Sequence, residues 1–257
     1  MANIATALRH EFGLTWQAPP EPERVPAGIA GIELPRGCLT EIFGPASSGR
    51  TTLLLSILAA ATSRGEICAL VDAENAFDPT SAAAAGVHLD RLIWIACDHN
   101  AGVPSKPGCG LLGCNAEHAL KAADLLVQGG GFGVVALDLG GVPPETARRI
   151  SLTSWFRLRR AVEHTPIVLL SVARQSNAKT CASLQLECRR ERSEWSGTNP
   201  GRLFRGFRVR AIAMERSPWQ GSFAPLAHKS FSVLAKHGRA GLPESHACSP
   251  VFMARAI

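Results

Sequence analysis

The sequence predicts an α/β protein with a mainly parallel sheet flanked by helices and ending in antiparallel strands. Short apolar β-type runs alternate with helical stretches over the first two-thirds of the chain. Those runs are apolar at nearly every position, the mark of strands covered on both faces. After Ala173 the pattern changes to alternating apolar and basic residues, as in strands with one solvated face.

Residues 1–35 are expected to form an arm or linker, because TWQAPPEPERVPAG holds four prolines in fourteen residues. The core is expected over 36–236. Its strands are LTEIF (39–43), EICALVD (66–72), RLIWIAC (91–97), GVVALDL (133–139) and PIVLLSV (166–172). Crossover helices are expected at Thr51–Ser63, Pro79–Ala85, Asn115–Gln128 and Pro144–Glu163. In the last of these, Trp155, Phe156, Leu158 and Val162 recur at helical spacing beside Arg157, Arg159 and Arg160. SLQLECRRE and RLFRGFRVRAIAME, separated by the turn residues SGTNPG, read as a hairpin. The Gly-, Pro- and Cys-rich span 98–113 and the tail 237–257 are expected to be irregular.

With 257 residues, 46% hydrophobic and 19% charged, the chain has the composition of a folded domain. Its longest apolar run, Leu53–Ala61, is half of a bilayer span, and no secretory signal opens the chain, so a cytoplasmic protein without a membrane segment is expected. The eight cysteines show no CxxC, and Cys109/Cys114 and Cys181/Cys188 lack accompanying paired histidines. They are read as reduced structural thiols and not as a zinc site. Net charge is +6, but unevenly spread. Residues 1–150 carry 10 basic and 15 acidic side chains, whereas 151–257 carry 17 and 6. A basic C-terminal part suits contact with a polyanion, although an arginine-covered helix face is the plainer alternative.

The most informative stretch is LTEIFGPASSGRTT, a strand running through a glycine-bearing loop into a helix. Phosphate-binding loops of the form GxxxxGK[ST] need glycines so that backbone N–H groups can face phosphate oxygens, and a hydroxyl at the helix start for Mg²⁺. The candidate nucleotide site is Gly44, Pro45, Ser47, Ser48, Gly49, Arg50, Thr51 and Thr52. Arg50 stands where the pattern has lysine, which keeps the charge but substitutes a planar fork for a slim ammonium. ATP binding is therefore expected more firmly than turnover. Asp138 closes GVVALD at the end of a buried strand, where it would hold Mg²⁺ through water together with Thr51; a turn-capping aspartate is the alternative. Asp72 and Glu74 in VDAENAFDP fall at the same sheet edge, and Glu74 is a candidate general base for water attacking a γ-phosphate, with Arg50 meeting the developing charge.

GPASSGRTT followed by DAENAFDP resembles, in order and spacing, the GPESSGKTT and DAEHALDP segments of the RecA recombinases. The likeness covers residues 30–140 and implies a RecA-like P-loop core. By that resemblance Glu74 matches the catalytic glutamate, Asp78 the adenine-side aspartate, Asp138 the Mg²⁺-side aspartate and Gln175 the γ-phosphate-sensing glutamine. Thr80 stands near the position of an adenine-packing aromatic, and Arg216 in AMERSPW represents the basic pair near the end of the core.

The spans matching the two RecA DNA-binding loops, DLGGVPPETARR and RQSNAKTCAS, are abbreviated or rewritten. The sequence is in this respect similar to ImuA-type accessory proteins of SOS mutagenesis. That resemblance implies a DNA-binding role in DNA damage response and translesion synthesis, with weak or absent hydrolysis. It also implies RecA and error-prone polymerase components as partners, and self-association. Arg202, Arg205, Arg208 and Arg210 alternate loosely with Leu203, Phe204, Phe207 and Val209, so nonspecific, salt-sensitive binding of single-stranded DNA is expected. A DNA-dependent ATPase of the recombinase type is the alternative reading. A small-molecule kinase is disfavoured, because no substrate lid can be found.

Overall fold

In the computed structural model, residues 21–29, 31–97, 111–198, 201–216, 223–234 and 253–255 are described. A two-stranded ribbon, β1 (Arg24–Pro26) with β2 (Glu33–Pro35), precedes the main sheet. The sheet comprises β3 (Cys38–Phe43), β4 (Cys68–Asp72), β5 (Leu92–Ala96), β6 (Val134–Asp138), β7 (Val168–Ala173), β8 (Leu184–Ser196), β9 (Leu203–Arg216), β10 (Phe223–Leu234) and β11 (Met253–Arg255). Its strand order is β10-β9-β8-β3-β7-β6-β4-β5-β11. All pairings from β8 across to β11 are parallel, and β9 and β10 add an antiparallel extension. The helices are α1 (Arg50–Ser63), α2 (Pro79–Ala84), α3 (Leu111–Gly129), α4 (Pro144–Ala147) and α5 (Leu152–Val162).

Alternate residues of each central strand feed two separate apolar layers. Ile42, Leu70, Ala136 and Leu170 pack with Leu53, Leu54, Ile57 and Leu58 of α1. Leu39, Val71, Leu137 and Leu169 pack on the other face with Ala119 and Ala123 of α3 and with Trp155, Leu158 and Val162 of α5. Cover on both sides explains the unbroken apolar runs. Phe156 falls outside this stripe and is exposed.

Several boundaries differ from expectation. Residues 24–35 are not part of a free arm: Val25, Ala27, Ile32 and Leu34 are buried in the α1 layer, and Arg24 forms an ion pair with Glu215 of β9. The helix expected over 144–163 is two helices, because Ser151 accepts a hydrogen bond from Ser154 N and starts α5 afresh after the turn at 148–150. Within the span expected to be irregular, 98–110 lie outside the described residues and 111–113 open α3. Of the expected tail, Met253–Arg255 add an edge strand beside β5; the remainder lies outside the described residues. Among the described residues no helix is long and apolar enough to cross a membrane, and no cluster of three or more metal-ligand side chains occurs.

Candidate nucleotide-binding site

Sheet register brings the site to one edge. Asp72 at the end of β4 stands opposite Asp138 at the end of β6, Asp138 stands opposite Val172, and Phe43 at the end of β3 stands opposite Ala173. The loop leaving β3 turns back through left-handed conformations at Ser47 (φ 58°) and Gly49 (φ 92°) and enters α1 at Arg50. No side chain caps α1, and its first turn holds no acidic residue. Its first N–H groups and the positive end of its dipole are therefore available to an anion. The two loop glycines are needed for space as well. A Cβ on Gly44 would strike the Cys188 carbonyl oxygen and come within 2.7 Å of Ser48 Oγ, and one on Gly49 would come within 2.5 Å of Val209 Cγ2. Ser48 Oγ is buried and unpartnered; Pro45, Ser47 and Thr51 are exposed, and Thr52 is half-buried.

Arg50 is 9% exposed, and its Nη1 is buried without a hydrogen-bond partner. Its guanidinium reaches toward the end of β6. A Cβ on Gly140 would lie 2.8 Å from Asp138 Oδ1 and 3.4 Å from Arg50 Nη1, so both groups converge on that glycine. Burial lowers the pKa of Arg50, and the Asp138 charge opposes the effect. Asp138 is shifted in the other direction, up to about 6, by burial and by Asp72, against the Gly140 N–H and the Arg50 charge. Gly140 N donates to Asp138 Oδ1 at 2.7 Å.

The two carboxylates of the VDAENAF segment have different roles. Asp72 is buried, accepting from Glu74 N (3.2 Å) and Phe77 N (2.7 Å), and so shapes the 73–77 turn. Glu74 is half-buried with Oε1 enclosed and unpartnered, and its side chain lies where a Cβ on Gly141 would fall. Arg50, Asp138 and Glu74 thus surround the Gly140–Gly141 turn.

Asp78 and Gln175 are placed differently. Asp78 is exposed and caps α2, accepting from Thr80 N (3.1 Å) and Ser81 N (3.0 Å). Hydrogen bonds from Ser81 lead in holding its pKa below the ordinary aspartate value. Gln175 accepts from Arg148 Nη2 (2.8 Å) and donates to Pro144 O (3.3 Å), tying the end of β7 to α4. Arg216 Nη1 donates to Thr180 O at 2.8 Å. Glu41, which sequence reasoning missed, is fully buried. It accepts from Ser176 Oγ, Asn177 N, Ala178 N and Gln185 Nε2 at 2.6–2.9 Å, fixing the loop that follows Gln175. Its only sequence signal was a carboxylate within an otherwise apolar strand.

The glycine turn, the open start of α1 and an enclosed, unsatisfied guanidinium suit a nucleotide polyphosphate. Mg²⁺ fits less well. The exposed Thr51 is placed at the helix start, but Asp138 Oδ1 is engaged by a backbone N–H and has a guanidinium as its neighbour. Residues 24–144 match the family model described as the RecA N-terminal domain. This stretch is RecA-like. The chain is 44% identical over 114 residues to Protein RecA of Teredinibacter turnerae, covering 44% of this chain and 28% of that protein. The RecA of Deinococcus radiodurans is 43% identical over 111 residues, with shares of 43% and 26%. That of Rhodospirillum rubrum is 45% identical over 111 residues, with shares of 43% and 25%. The chain thus spans roughly a quarter of the length of these curated relatives. The matched family segment contains the phosphate loop, Asp72, Glu74 and Asp138; Gln175 and the antiparallel extension lie beyond it.

Two basic features lie beyond the RecA-like stretch. A pocket of about 490 Å³ is lined by Arg148, Arg149 and Lys179 with Ser151, Gln175 and Asn177 among its walls, and both side-chain polar atoms of the buried Asn177 lack partners. The hairpin β8–β9 carries the other arginines. Arg208 and Arg210 are paired with Glu194 and Glu191, Arg205 donates to Ser196 Oγ, and Arg202 sits 5.6 Å from the centre of the exposed Trp195 ring. The expected arginine row is therefore partly neutralised. Arg190 and Arg192 of β8, outside the expected row, are exposed and without an ion pair among the described residues.

Proposed function

We propose that this chain is a RecA-like nucleotide- and DNA-binding accessory protein of the DNA damage response and mutagenic translesion synthesis, with weak or absent ATP hydrolysis. One observation carries the nucleotide part: Arg50 Nη1 is buried without a partner at the uncapped start of α1. An enclosed donor with no acceptor is costly, and a phosphate oxygen supplies the missing partner. Glu74, with its enclosed Oε1, is the group for orienting and deprotonating a water, and Arg50 meets charge developing on the γ-phosphate. The hydrolytic step is slow because an arginine fork replaces the compact ammonium.

The DNA part is supported by the cation-lined pocket and by Arg190, Arg192 and Arg202 on the hairpin. Contacts of this kind confer salt-dependent affinity for single strands without sequence preference. RecA, error-prone polymerase components and a second copy of the chain are the proposed protein partners, in the cytoplasm. Asp78 and Gln175 are proposed to face the adenine and the γ-phosphate only after exchanging the hydrogen bonds that they now make.

The experiment is ATP binding and hydrolysis by the purified protein with and without single-stranded DNA, with Arg50→Lys alongside. Binding with negligible turnover is expected, and Arg50→Ala should weaken binding. Turnover that rises with DNA would favour the recombinase reading, and unchanged affinity in Arg50→Ala would remove the loop from the site.

A further inference from the structure

We infer that Arg50 replaces the divalent metal beside Asp138, so that a nucleoside triphosphate binds to this chain without Mg²⁺. The inference rests on the nucleotide reading above and concerns how the same loop neutralises its ligand.

Two observations carry it. A Cβ on Gly140 would lie 3.4 Å from Arg50 Nη1 and 2.8 Å from Asp138 Oδ1, yet Nη1 makes no hydrogen bond to that carboxylate. The guanidinium is enclosed there, and Nη1 has no acceptor. A lysine has a shorter reach and a single ammonium to place, leaving the β- and γ-oxygens to share their remaining charge with a metal. An arginine presents five N–H donors in a rigid fork, enough to span oxygens of two phosphates.

The carboxylate side is consistent with this. Mg²⁺ demands near-octahedral oxygen ligands and dehydrates reluctantly, keeping several waters. Asp138 Oδ1 already accepts from Gly140 N, and the space beside it holds a permanent cation. Bringing a divalent ion with its water shell to that carboxylate sets two cations against each other at a buried site, where charges are poorly screened. The ordinary role of the strand-end aspartate is thereby given to an internal side chain.

The test is equilibrium binding of a ribose-labelled fluorescent ATP analogue to the full chain, displaced with unlabelled ATP, in excess Mg²⁺ and again in EDTA. Wild type is expected to keep its affinity within about threefold on chelation, whereas Arg50→Lys should lose about tenfold or more. A tenfold loss in the wild type would overturn the inference while leaving the nucleotide site intact. No binding in either buffer would sink both. If Arg50→Lys proves unstable in a thermal melt, the wild-type comparison alone decides.

Discussion

Val209 of β9 lies against Gly49 of the phosphate loop, and Cys188 of β8 closes over Gly44 from the same side. The antiparallel extension is therefore a wall of the nucleotide site, although it lies outside the segment that matches the RecA N-terminal domain. Gly49 has a left-handed backbone and no room for a Cβ, so Gly49→Ala combines backbone strain with a clash. It is expected to cost about 2–4 kcal/mol in denaturant unfolding and to abolish ATP binding. Val209→Ala removes the atoms in the way and should cost about 2 kcal/mol alone. The double variant should then be less destabilised than the sum by about 0.5 kcal/mol or more. Strict additivity would mean that the contact does not constrain the loop.

Glu41 organises the turn after β7 through four donors, two of them backbone N–H groups. Replacing it by glutamine keeps the volume but turns an amide NH₂ toward groups that also donate. Glu41→Gln is expected to cost about 2–4 kcal/mol, and amide exchange at Asn177 and Ala178 should quicken about tenfold or more. Normal exchange at those two amides would show that the loop is held by other contacts.

The central βαβ rhythm was legible because each strand is covered twice, and the phosphate loop because its glycines meet steric demands that no other residue satisfies. What escaped the sequence depended on distant partners. Glu41 finds its acceptor role 135–144 residues away, so nothing local distinguished it from an error in an apolar strand. Residues 24–35 looked like an arm because of their prolines, yet Pro26 and Pro35 sit at the ends of short ribbon strands, where a missing N–H is tolerated. The long helix expected over 144–163 had the right periodicity, but Ser151 competes locally as a cap. Met253–Arg255 has no pattern of its own and is a strand only because the edge of β5 is open.

Glu66 supplies a pH dependence. Burial works against its charged form, but hydrogen bonds and charge from Arg64 and Arg36 outweigh that and hold its pKa below the ordinary 4.5. A carboxylate depressed on folding stabilises the protein above its unfolded pKa and loses that contribution as pH falls through the folded value. Glu66→Gln should therefore cost about 1 kcal/mol near neutral pH, with the difference from wild type closing in acid below the ordinary carboxylate range. Gly133→Ala tests the same pair, because a Cβ there would displace Glu66. A penalty that persists unchanged in acid would assign the effect of Glu66→Gln to packing.

Burial decides the behaviour of the thiols. It pushes Cys68 and Cys188 up to about 12 and Cys97 up to about 11, and all three side chains are enclosed. Because the thiolate is the nucleophile, none of them should react with iodoacetamide at pH 8 in the native protein, while all should react on unfolding. Cys188 is the informative one: its main-chain oxygen closes over Gly44, and the Arg50 charge draws its pKa back toward the ordinary value. Reagent can reach it only when β8 lifts from the phosphate loop, so ATP should slow its labelling further while leaving Cys97, on the opposite layer, unchanged. Site-resolved mass spectrometry of the labelled protein reads both effects. Equal slowing at Cys188 and Cys97 would mean that ATP stabilises the whole fold instead of holding β8 against the loop.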